Sequence, residues 1–81
     1  MNKKITETKH DRFVRLAEAR TNKIIDMLQL LGNCSNTTVY DYTADDVEEI
    51  FQAIEQEVRE AKRRFMQTET EKNTKFSLSK R

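Results

Sequence analysis

Apolar residues recur along the first third of the chain with helical spacing. Phe13, Ala17, Ile24, Leu28 and Leu31, flanked by Val14 and Ile25, fall on one stripe at about 100° per residue. Leu16, Met27 and Leu30 lie off that stripe, so the second half of the segment is apolar nearly all round. A helix that is apolar on two faces needs two neighbours. The spacing predicts a helix over residues 8–31. Thr8 stands where an N-cap belongs, Asp11 three residues later completes a capping box, and Gly32 suits a left-handed stop just past the end.

A second helix is predicted over residues 44–65. Val47, Phe51, Ile54, Val58, Ala61 and Phe65 alternate steps of four and three, a heptad-like seam with Ile50 beside it. Thr43 and Asp46 repeat the capping-box spacing, and Asp45, Asp46, Glu48 and Glu49 suit the positive end of the helix dipole. Glu55 with Arg59 and Glu60 with Arg64 are spaced as i,i+4 ion pairs. Beyond Met66 the seam is lost and Thr, Ser, Asn and Lys take over. Residues 1–66 therefore read as a single helical domain and 67–81 as a flexible basic tail.

The expected fold class is all-α, an antiparallel two-helix hairpin with an ordered connector. If Leu31 sits opposite Val47, then Leu28 meets Ile50 and Phe51, Ile24 meets Ile54, Ala17 meets Ala61, and Phe13 meets Phe65. Only Arg20 and Thr21, opposite Val58, break the apolar series. Two helices bury too little to be firmly stable. Leu16, Met27 and Leu30 are left over, and they are the expected dimer interface of a homodimeric four-helix bundle.

Composition supports helices: the 81 residues include no Pro and one Gly, and charged and hydrophobic residues each make up 36%. The charges are sorted along the chain. Residues 1–31 carry a net +3, residues 32–58 a net −7, and residues 59–81 a net +5, for +1 overall. In the hairpin this makes a basic open end, where Arg12, Arg15, Arg63 and Arg64 are candidate phosphate contacts for nucleic acid. The plainer reading is a solvated surface whose second helix carries cations at its negative end. No helix-turn-helix is evident, because the connector of about eleven residues is far longer than the usual three or four.

Little of the vocabulary of catalysis is present, so no enzyme, cofactor or metal is expected. Asp41, Thr43 and Asp45 begin like a calcium loop, but Asp46 replaces its glycine and Gln52 its terminal glutamate. Capping explains these acids better. Cys34 and His10 occur once each and at opposite ends of the hairpin, too far apart for an intrachain dyad, and Cys34 reads as a small buried loop residue. One unpaired cysteine and an N-terminus with no apolar run give the expectation of a cytoplasmic protein with no membrane association. The connector stretch "TTVYDY" is β-prone. It is expected to lie extended, with Val39, Tyr40 and Tyr42 as candidate partner contacts.

The stretches "RLAEARTNK", "LLGNCSN", "YDYTADDVEEIF" and "AIEQEV", spread over residues 12–65, resemble small helical proteins carried on mobile elements of Gram-positive bacteria. That family comes without an assigned activity. The resemblance implies a setting, an accessory gene of a plasmid, conjugative element or prophage, and no functional residues. The expected function is thus a non-enzymatic, homodimeric α-helical module that binds an unknown protein partner. The alternative is a small DNA-associated accessory factor that grips phosphates through its basic open end.

Overall fold

A computed structural model describes residues 6–76 of the chain. Its elements are α1 (Lys9–Gly32), a short 3-10 turn (Asn33–Ser35) and α2 (Ala44–Phe76). No strand occurs among the described residues, so the all-α class is established. The chain divides between Asp41 and Tyr42 into two units, one built around each helix.

Helix α1 starts where the sequence places its cap. The Asp11 amide donates to the Thr8 hydroxyl at 2.9 Å, and the Thr8 amide donates to the Asp11 carboxylate at 3.2 Å. Two of the donors that a helix start leaves over are thereby satisfied. The first helical bond then runs from the Arg12 amide to the Thr8 carbonyl, 3.0 Å. The end of α1 departs from expectation. Gly32 has φ −59° and ψ −29°, ordinary right-handed values, so it is the last helical residue rather than a left-handed stop. The helix tightens instead into the 3-10 turn, a common way of using up terminal carbonyls. The physical reason is that glycine permits a left-handed conformation without requiring it.

What closes this first unit is Asn36. Its carbonyl accepts from the Val39 amide at 3.1 Å and the Tyr40 amide at 2.9 Å, while its side-chain oxygen accepts from the Thr38 amide at 3.0 Å. This is an Asx turn. The β-prone "TTVY" stretch is therefore coiled into a turn over residues 37–39 and is not extended. A short local hydrogen bond from Asn36 outweighs a propensity that depends on a neighbouring strand.

Helix α2 repeats the start of α1. The Asp46 amide donates to the Thr43 hydroxyl at 3.0 Å and the Thr43 amide to the Asp46 carboxylate at 2.9 Å. Asp45 and Asp46 occupy its first turn, at the positive end of the dipole. The helix has 33 residues and ends at Phe76, eleven beyond the predicted end at 65. Residues 67–76 of the expected flexible tail belong to it, and 77–81 lie outside the described residues. No Gly or Pro occurs after Gly32 to stop it, and the loss of an apolar seam removes a packing face without removing helix propensity.

Neither unit has an interior. None of residues 6–68 is buried.

Candidate interaction surfaces

The surfaces of the molecule are set by which residues each helix carries on which side. On α1, Ile24 of the stripe is 58% exposed, and Met27 and Leu30, off the stripe, are 62% and 57% exposed. Leu16, Ala17 and Leu31 are the half-buried positions of the same helix. Of the three expected dimer residues, Leu16 is thus partly covered by its own helix, while Met27 and Leu30 are laid bare. Toward the start of α1, Phe13, Val14, Ala17, Glu18, Thr21 and Asn22 line a shallow, mainly apolar depression. The His10 ring stacks near Phe13 one turn away, centroids 6.3 Å apart and planes 26° from parallel.

On α2 the seam residues Val47, Phe51 and Val58 are exposed, as is Ile50 beside them, and Ile54 is half-buried. A solvent-facing apolar row of this length on a helix is unusual for a surface meant to stay wet. Fully burying one such side chain contributes on the order of 1.5–3 kcal/mol. The exposed rows are therefore a large reserve of binding free energy.

The connector supplies the third candidate surface. Val39 is 65% exposed at the Asn36 turn, and Tyr40 and Tyr42 are exposed as well. Val39 and Tyr40 reach the surface from a turn rather than from the extended segment expected. Cys34, expected to be a buried loop residue, is exposed in the 3-10 turn. The turn surrounds it with no apolar wall.

The four candidate phosphate contacts fare differently. Glu7, one residue ahead of the α1 cap, accepts a two-pronged contact from Arg15, with Nε to Oε2 at 2.7 Å and Nη2 to Oε1 at 3.0 Å. Arg12 Nε stands 3.7 Å from the same carboxylate. The hydrogen bond from Arg15 holds the Glu7 carboxyl below the ordinary glutamate range, with the charges of Arg15 and Arg12 adding to it, and raises Arg15 in return. Arg63 donates to Glu60 at 3.1 Å and to Gln67 at 3.3 Å. Glu60 thus pairs with the residue three along and not with Arg64, as the spacing suggested. Arg64 is the one of the four without an ion pair among the described residues. The clamp at Glu7 lies outside the helix and spans eight residues, beyond the reach of i,i+3 and i,i+4 reasoning. Sequence reading missed it for that reason.

Among the described residues no group of three or more metal-ligating side chains comes together, and no helix is long and apolar enough to cross a membrane. Compared with protein-family models, curated proteins and solved structures, the chain finds no match in any of the three.

Proposed function

We propose that the protein is a non-enzymatic interaction module whose two helices fold back into an antiparallel hairpin and associate with a second copy as a four-helix bundle. One observation carries this reading. The apolar rows of α1 and α2 follow helical periodicity, yet none of their residues is buried, so each row fits a partner helix and lacks an interior of its own. Ile24 and Ile54 are the central rung of the hairpin, and Leu16, Met27 and Leu30 are the surface for the second chain. Val39, Tyr40 and Tyr42 are left to meet a protein partner at the connector end. An accessory role in a bacterial mobile element, in the cytoplasm, is the setting that goes with this reading.

The phosphate-binding alternative has less to stand on. Arg12, Arg15 and Arg63 already face carboxylates, so a phosphate would have to displace them. Sedimentation of the full chain at micromolar concentration tests the proposal. A helical species of twice the chain mass is expected, and a fully helical monomer would overturn the dimer. Retention on generic duplex DNA at low salt, lost as salt rises, would bring the alternative forward.

A further inference from the structure

The two halves of α2 carry opposite charge. From Ala44 to Val58 it holds six carboxylates (Asp45, Asp46, Glu48, Glu49, Glu55 and Glu57) and no cation. From Arg59 to Phe76 it holds six cations (Arg59, Lys62, Arg63, Arg64, Lys72 and Lys75) against three carboxylates (Glu60, Glu69 and Glu71). Two copies of this helix laid side by side in the same direction would set acid on acid and base on base. Laid in opposite directions, they set acid on base twice over. The aligned dipoles of two helices make the same choice.

We propose that a second copy of this chain docks on α2 in the antiparallel direction, with Val47, Phe51 and Ile54 of one copy opposite Phe65, Ala61 and Val58 of the other. This rests on the dimeric reading above and adds its direction and register. In the bundle the α2 seam points to the centre, between its own α1 and the partner's α2, while Leu16, Met27 and Leu30 of α1 meet the partner's α1. The seam alternates so that the midpoint between Ile54 and Val58 can lie on the two-fold axis, and every rung is then apolar. The central rung pairs Ile54 with Val58, and the next pairs a large side chain, Phe51, with a small one, Ala61, the alternation that lets facing helices interdigitate. Glu48 and Lys62 fall beside the seam on the same flank, so each Glu48 meets the partner helix's lysine, twice per dimer. Within one helix these two residues are fourteen positions apart and do not meet. Lys62 has no ion pair among the described residues. Glu55 and Glu57 approach their own copies at the axis, and the repulsion between these like charges offsets part of the gain at the Glu48–Lys62 pairs. In a bundle of two hairpins this arrangement also makes every pair of adjacent helices antiparallel.

Two measurements decide it. In full-length chains with Cys34→Ser, Val47→Cys chains are mixed with Phe65→Cys chains under oxidising conditions. Disulfides between residue 47 of one chain and residue 65 of the other are the expected product. Homodisulfides at 47 and at 65 would overturn the direction while leaving the dimer standing. A monomer in sedimentation of the unaltered chain would overturn both. In case the cysteines disturb the seam, a charge swap reads the same geometry without touching it. Glu48→Lys alone and Lys62→Glu alone should each weaken dimerisation by about fivefold, and the double variant should recover most of the loss. Losses that simply add in the double variant would refute the register.

Discussion

Helices α1 and α2 begin alike and end unlike. Each opens on a threonine whose hydroxyl takes the amide of an aspartate three residues on, and each aspartate returns the bond. At the far side, α1 closes within four residues through a 3-10 turn and an Asx turn, whereas α2 continues for 33 residues with no Gly or Pro to stop it. A helix start is written into a few side chains that must satisfy specific donors. A helix end is set by whatever first competes with the next helical bond. In α1 the competitor is the tighter 3-10 bonding that takes over after Gly32, as in the bond from the Asn36 amide to the Asn33 carbonyl at 3.3 Å. In α2 nothing comparable appears before Phe76.

The largest effect is expected at the apolar rows of the two helices. Ile54→Asp and Ile24→Asp place a charge in the proposed central rung, and each is expected to cost about 3–5 kcal/mol and to abolish dimerisation. Circular dichroism against temperature reads the effect, and a variant that melts like the parent would refute the pairing. Next in size come the two caps. Thr8→Ala and Thr43→Ala should each cost about 1 kcal/mol. Equal losses would confirm that the two starts are equivalent, and a much larger loss at one would show that the helices do not share the work of folding.

Gly32→Ala separates the two ends. Gly32 is helical, and a Cβ built there meets nothing within 4 Å. The substitution should therefore stabilise the protein by about 0.5–1 kcal/mol. A left-handed Gly32 would give a loss instead. The smallest effect concerns Glu7, whose clamp on Arg15 is present only at the start of α1. Its pKa is lowered on folding, so its contribution is complete above the unfolded glutamate value of about 4.3 and is lost as pH falls toward the lower folded value. Glu7→Gln should remove that acid-side slope of the melting temperature and leave the slope above pH 6 unchanged.

Which parts of this were legible in the sequence follows from range. The caps at Thr8 and Thr43 are three-residue devices, and both form as the spacing indicates. The apolar rows are periodic, and they too lie on helices. Misreadings arise where two local options compete. Gly32 allows a stop that it does not make, "TTVY" favours a strand that Asn36 folds into a turn, and Glu60 can reach either Arg63 or Arg64. The Glu7 clamp was invisible because it joins a residue outside the helix to one two turns inside it. The habits of its residue type suggest a buried Cys34, whereas its short turn leaves it exposed.

The unbroken run of α2 has a mechanical consequence. At 1.5 Å per residue its 33 residues make a rod of about 50 Å. Whatever is fixed at its acidic first turn and whatever is fixed near Phe76 are held at a set separation, as by a ruler. A glycine introduced midway, at Gln56, would loosen that ruler by only about 1 kcal/mol, whereas a proline there would kink it.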